Sequence, residues 1–213
     1  MKLFARSAST ASPRPLRLHV GCGQEALAGW VNIDNKQLPG VDRVLDVTRG
    51  LPFENASAIY AEHFLEHLSL DDGLAFLAEC RRALSDAGIL RLSTPNLDWV
   101  YLTHYRVGSW ADDGQSLHDC LQLNRAFHGW GHQFLYNRVM LAGALRAAGF
   151  EQVEFRRYGE SGVVELKGLE RHETWEDTPE LPHVLIAEAA GRRAPAPLPE
   201  KPLTEFREAI GTR

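Results

Sequence analysis

Short strand patterns follow one another along the first half of the chain, each stopping at a residue suited to a loop. Leu16-Arg17-Leu18-His19-Val20 alternates apolar and polar residues and stops at Gly21. Val31-Asn32-Ile33 ends at Asp34, Val44-Leu45 ends at Asp46, and Ala58-Ile59-Tyr60-Ala61 makes a fourth run. Leu70, Leu74, Leu77 and Leu84 then recur at helical spacing, with Ala78 and Cys80 filling in. Asp71 and Asp72 suit the start of that helix, and Gly88 marks its end. Ile89-Leu90-Arg91-Leu92-Ser93 is a fifth strand. A further helix is predicted over 137–148, with Leu141, Ala144, Leu145 and Ala148 on one face and Gly149 as its stop. Residues 151–157 and 183–189 read as two late strands, an antiparallel pair. Alternation of this kind predicts an α/β domain with a mostly parallel sheet.

The links between these runs carry information of their own. Only six residues separate Gly23 from Trp30, too few for the ~10–12 residues of an ordinary helical crossover. The link from Asp34 to Val44 is also short, so the early helices are expected to be trimmed. Conversely, the 40 residues of 97–136 have the length of a lid or substrate-binding insertion. Part of that insertion reads as helical, because Leu117, Leu121, Asn124 and Phe127 share spacing. Residues 1–15 read as a flexible tail and 16–190 as the domain. In 191–213, Pro195, Pro197, Pro199 and Pro202 suggest an extended strap before a short helix.

Composition excludes several classes. Lys and Arg total 23 against 28 Asp and Glu, a net charge of −5, which argues against a nucleic-acid binder. Three separated cysteines, Cys22, Cys80 and Cys120, form neither a disulfide framework nor a thiolate zinc motif. No apolar run approaches the ~18 residues of a membrane span, and the N-terminus lacks the apolar core of a secretory signal. A cytoplasmic protein with no membrane partner is the expectation.

Chemistry begins at Gly21-Cys22-Gly23, directly after a strand, where glycines let the backbone approach a ligand closely. Asp34, at the end of the next strand, can take both hydroxyls of a ribose. Asp46 ends the third strand before the Leu51-Pro52-Phe53 turn and can address an adenine amino group. These elements continue with Tyr60 to Leu68 and Leu90 to Asn96, and five such blocks in this order resemble the class I S-adenosylmethionine-dependent methyltransferases. The likeness runs over roughly 16–96 and more loosely over 128–190. It implies a Rossmann-like sheet with an antiparallel last strand and S-adenosylmethionine as cofactor. By the same resemblance, Gly21, Cys22 and Gly23 would lie under the methionine part. Asp34 would bind the ribose, Asp46 and Val47 the adenine edge, and Ala61, Glu62 and His63 would face the sulfonium and the substrate. Three departures stand out: His19 where the family has an acid, Glu25 where it has a third glycine, and Ser85-Asp86-Ala87-Gly88 for its Pro-Gly-Gly turn.

A hydroxyl acceptor also wants a general base, and His63, His128 and His132 are the candidates, histidine being suited to neutral pH. His128 and His132 stand at i and i+4, but Gly129 and Gly131 disfavour a helix there and no third ligand has familiar spacing, so no metal is expected. Glu66 and His67 read as solvated residues of a helical turn. Trp99, Tyr101, Tyr105, Trp110 and Trp130 read as the core of a small subdomain. The expectation is O-methylation of a small-molecule or saccharide acceptor by in-line displacement. The alternative is a catalytically degenerate binding or interaction module. Trimmed helices would leave a sheet face to be covered by the strap or by a second copy, as in a homodimer.

Overall fold

The structure is a computed structural model and describes residues 15–171, 178 and 180–211; residues 1–14 of the expected tail and the last two of the strap lie outside them. Seven strands form one sheet: β1 (Arg17–Val20), β2 (Val31–Asp34), β3 (Arg43–Val44), β4 (Ala56–Glu62), β5 (Leu84–Pro95), β6 (Gln152–Arg156) and β7 (Val184–Ala190). Their spatial order is β3-β2-β1-β4-β5-β7-β6. All neighbouring pairs are parallel except β5 with β7 and β6 with β7. The helices are α1 (Leu70–Ala83), α2 (Leu97–His104), α3 (Asp113–His128), α4 (Arg138–Ala147) and α5 (Glu200–Gly211).

Capping chemistry explains where the main helices start. Ser69 accepts from the Asp72 amide at the head of α1, and Asn137 accepts from the Met140 amide at 2.9 Å at the head of α4. Gly149, at φ +92, stops the chain after α4. The helix expected to run to Gly88 ends instead at Ala83, and the chain passes straight into β5. Gly88 serves the strand: an added Cβ would lie 2.6 Å from the Ala56 carbonyl, where the register of β4 and β5 shifts.

The two faces of the sheet differ in chemistry. Leu18, Ile33, Ile59, Leu90 and Leu92 bury themselves against Phe76 and Leu77 of α1 and Leu141 and Leu145 of α4. On the other face, neighbouring strands align Asn32, His19, Tyr60, Arg91, Glu188 and Glu154 in a row across the sheet. No helix intervenes between β1 and β2 or between β2 and β3, so this polar row needs another roof. Residues 157–171 supply it. Leu166 packs with Trp30, Ala58 and Tyr60, and Glu170 meets Arg91 Nε at 2.6 Å. Glu188 takes Arg91 at 2.7 Å, Arg156 at 2.7 Å and the Ser161 hydroxyl at 2.6 Å. Burial alone would raise the Glu188 carboxyl; Ser161, Arg156 and Arg91 together hold it below its usual range.

That roof, rather than the strap, covers the face left by the missing helices. The strap runs on the helical side. Arg193 and Ala196 donate to the Gly149 and Arg146 carbonyls, Phe206 of α5 stacks edge-on with Phe134, and Arg207 pairs with Asp71 of α1 at 2.6 Å. The lid-length segment is largely helical, as its spacing suggested, but the buried face of α3 carries Asp119 and Ala126 while Leu117 and Leu121 are exposed.

Two outcomes follow. Replacing Arg91 with Met leaves buried Glu170 without its cation and Glu188 with Arg156 alone, and urea denaturation should show a loss of ~3–5 kcal/mol. Burial also lowers the His19 imidazole from 6.5 to about 4, against a hydrogen bond with Asn32. The unfolded chain therefore binds that proton first as pH falls. Stability should drop between pH 6.5 and 4 by something on the order of 3 kcal/mol from this group, and His19→Gln should flatten that part of the curve.

Candidate active site

The carboxyl ends of four parallel strands meet at one edge. Val20 lies level with Ile33 on one side and Ala61 on the other, and the strand order reverses between β1 and β4, where open α/β sheets bind ligands. Gly21 and Gly23 follow β1 with φ of +65 and +55. A Cβ on Gly21 would overlap the Phe64 ring, whereas one on Gly23 would meet nothing within 4 Å. The first glycine admits Phe64; the second keeps space open over the loop.

Asp34 ties that loop to the end of β2. Its two carboxylate oxygens accept from the Gly23 and Lys36 amides, each at 2.9 Å, and each retains lone-pair capacity for a hydroxyl. Cys22 is buried, and burial followed by the Asp34 charge pushes its thiol up, which disfavours the thiolate. Asp46 is exposed. It caps the 3-10 turn Val47–Arg49 through the Thr48 amide and hydroxyl, which hold its carboxyl below the usual range. The Val47 and Ala61 side chains are buried in the core, leaving only their backbones to a ligand. Glu62 is buried too and accepts from the Arg171 amide at 2.7 Å and its Nε at 3.1 Å. Arg171 also reaches Glu25 at 3.0 Å, bridging the glycine loop to the end of β4. Nothing in the sequence pattern signalled that residue.

His63 follows β4 in the left-handed region at φ +45, a conformation that costs energy and clusters at functional sites. Its Nδ1 lies 3.0 Å from Glu66 Oε1, and Glu66 Oε2 accepts from the Thr94 hydroxyl at 3.0 Å. Expected in solvent, Glu66 is 0% exposed. Residues 132–134 bury it by docking on the 3-10 turn Leu65–His67. The Gln133 and Phe134 amides both donate to the Glu66 carbonyl, and the Gln133 side chain donates to the His67 carbonyl at 2.5 Å.

Above this turn opens a cavity of about 630 Å³, walled by β4–α1, α2 and α3. Five histidines reach it: His63, His67, His104, His132 and His183. Of the three histidines read from sequence, His63 and His132 are brought together there. His128 is not; it is the exposed last residue of α3, outside the cavity wall. Trp130 at φ +55 and Gly131 at φ +82 turn the chain between the two, so His132 swings inward while His128 stays outside. His67, His104 and His183 were missed because their neighbours arrive from distant segments. The aromatic set also divides. Trp99 is buried and lines the cavity, but Tyr101, Trp110 and Trp130 are 57%, 65% and 67% exposed and fill no core.

The sequence profile of the methyltransferase-domain family matches residues 4–154, more than half of the chain. The chain belongs to that family. Comparison with curated proteins finds no match. Among solved structures, this methyltransferase domain is similar to the S-adenosylmethionine-dependent methyltransferase SibL, with TM-score 0.50 and 13% identity over 84% of this chain and 51% of that one. It is similar also to the CMeT domain of the citrinin polyketide synthase, with TM-score 0.50 and 14% identity over 84% of this chain and 47% of that one. At such identity these likenesses concern the fold, and the chain spans about half the length of each. Among the described residues no helix of the methyltransferase is long and apolar enough to cross a membrane.

The two glycines separate packing from binding. Gly21→Ala should lower thermal stability by ~1–3 kcal/mol, from the left-handed backbone and the displaced Phe64 ring. Gly23→Ala, with no neighbour to strike, should carry only the backbone cost of ~1–2 kcal/mol. A melt in which Gly23→Ala is the more damaged of the two would contradict the assigned packing.

Proposed function

We propose that this methyltransferase transfers a methyl group from S-adenosylmethionine to a hydroxyl of a small-molecule or saccharide acceptor held in the cavity. The observation that carries the reading is the His63–Glu66 pair, standing between the glycine loop and the cavity. The open space over Gly23 and the carboxylate of Asp34 fit the cofactor: a side chain at 23 would enter that space, and Asp34 can accept from a ribose diol. Asp46 and the Val47 backbone would meet the adenine edge, and Arg171 offers a positive charge beside the loop for the methionine carboxylate.

S-adenosylmethionine supplies a methyl group on a sulfonium, open to in-line attack. The chain aligns the acceptor and takes its proton. Glu66 accepts from His63 Nδ1, which leaves Nε2 as the basic nitrogen; Thr94 holds the second Glu66 oxygen so that the pair cannot rotate away. His63 Nε2 would take the acceptor hydroxyl's proton as that oxygen receives the methyl group, and the spent cofactor would leave as a neutral thioether. Trp99, Val100 and Ala126 give the cavity an apolar wall, which excludes water from a step in which charge disappears. Holding both reactants in line is worth up to ~7–11 kcal/mol, and the base a further ~10²–10⁴ in rate.

Calorimetric titration with S-adenosylhomocysteine tests the cofactor half. The native protein should bind it in the micromolar range, and Asp34→Ala should weaken that binding at least ~10-fold, the ~1.4 kcal/mol of a lost charge-assisted hydrogen bond. His63→Ala should keep the binding while lowering turnover of labelled S-adenosylmethionine by ~10²–10⁴ across hydroxyl acceptors. A folded native protein that ignores S-adenosylhomocysteine overturns the reading in favour of an interaction module built on the same fold.

A further inference from the structure

Glu66, His67 and His132 each offer one ligand atom, and the three atoms lie within 4.8 Å of one another. We propose that they form a site for a divalent transition-metal ion, of the zinc or cobalt kind, on the floor of the acceptor cavity. Two imidazoles and one carboxylate are the donor set such ions take, with distances near ~2.0–2.2 Å, so the three side chains need close by only a fraction of an ångström each. A remaining coordination position faces the cavity that all three residues line.

The surroundings hold these donors as a metal site requires. His132 Nδ1 lies 2.8 Å from the Ala126 carbonyl, and a carbonyl can only accept. That fixes the proton on Nδ1 and leaves Nε2 with its lone pair for a ligand, the arrangement by which ligating histidines are oriented. Glu66 is fully buried and steadied from both sides, by His63 and by Thr94. The loop bearing His132 is fastened to the turn bearing Glu66 and His67 by the Gln133 and Phe134 amides and the Gln133 side chain. The His67 and His132 rings meet edge to face at 5.2 Å. From sequence, His128 with His132 lacked a third ligand; in the fold the adjacent pair Glu66-His67 takes the place of His128, on the turn that residues 132–134 dock against.

Within the proposed methyl transfer, on which this second step rests, an acceptor hydroxyl would occupy the open position. The ion would then lower its pKa as it lowers that of bound water, and the proton would leave to His63. The site favours acceptors that can bring an oxygen ligand to a metal, a phenol, a vicinal diol or an α-hydroxy carbonyl.

Binding can be read without cofactor or acceptor. Cobalt(II) titrated into the metal-free full chain should give one saturable site with visible d–d absorption, displaced by zinc. His67→Ala and His132→Ala, both at partly exposed positions, should each weaken it by more than the ~10–100-fold typical of an outer-shell partner, with unchanged far-UV circular dichroism. His128→Ala, outside the cavity, should leave it untouched. Absence of a saturable cobalt site in the folded native chain would overturn the proposal. So would cobalt binding that survives in the His67→Ala/His132→Ala double variant. Either result leaves S-adenosylhomocysteine binding as the separate test of the methyltransferase reading.

Discussion

Arg91 sits on the interior strand β5 with no access to water, and the rest of the molecule is arranged around that fact. A buried guanidinium requires carboxylates, and two arrive from opposite directions: Glu188 from the neighbouring strand and Glu170 from the segment that roofs the sheet. Each carboxylate is tied in turn, Glu188 to Arg156 and Ser161, Glu170 to the Gly159 amide. The network replaces what a helix would do in a sheet of this kind. Where helices normally cover a parallel sheet with apolar stripes, this chain covers it with a loop whose register is set by charge. Removing one member leaves charge stranded in a low-dielectric interior, which makes the arrangement specific and costly to disturb.

The roof has a second consequence at the site. Arg171 follows Glu170 directly and bridges Glu25 to Glu62, so the segment that pairs with the sheet also fastens the glycine loop to the end of β4. On the opposite side the Leu65–His67 turn is fastened to 132–134. The glycine loop and the cavity thus share a rigid border, and His63 and Glu66 stand on it. In the proposed methyl transfer a proton acceptor fixed on such a border would work by position, since alignment rather than bond-making by the protein carries most of such a step.

Much of this is legible in the sequence. Strand ends marked by Gly21, Asp34 and Asp46 give short loops at one edge of a parallel sheet, and alternation of two periods leaves few other folds. The trimmed links predicted absent helices correctly, but not what would stand in their place. Glu170 and Arg91 are 79 residues apart, and no local pattern connects them. Glu66 illustrates the same limit: as part of Leu-Glu-His it looks like a solvated turn, and only the docking of a segment 66 residues away buries it. Leu117 and Leu121 mislead in the other direction, being apolar, helically spaced and exposed.

Periodicity, turn residues and charge balance therefore determined the class of fold, the loops at the carboxyl-end edge and the placing of the glycine loop and Asp34 there, because each depends on neighbours within a few positions. Tertiary structure alone decided which histidines converge, that His128 stays outside while His67 and His132 meet, and which segment roofs the sheet. Those outcomes depend on contacts between residues far apart in the chain, where geometry is set by the packing of whole elements rather than by any local preference.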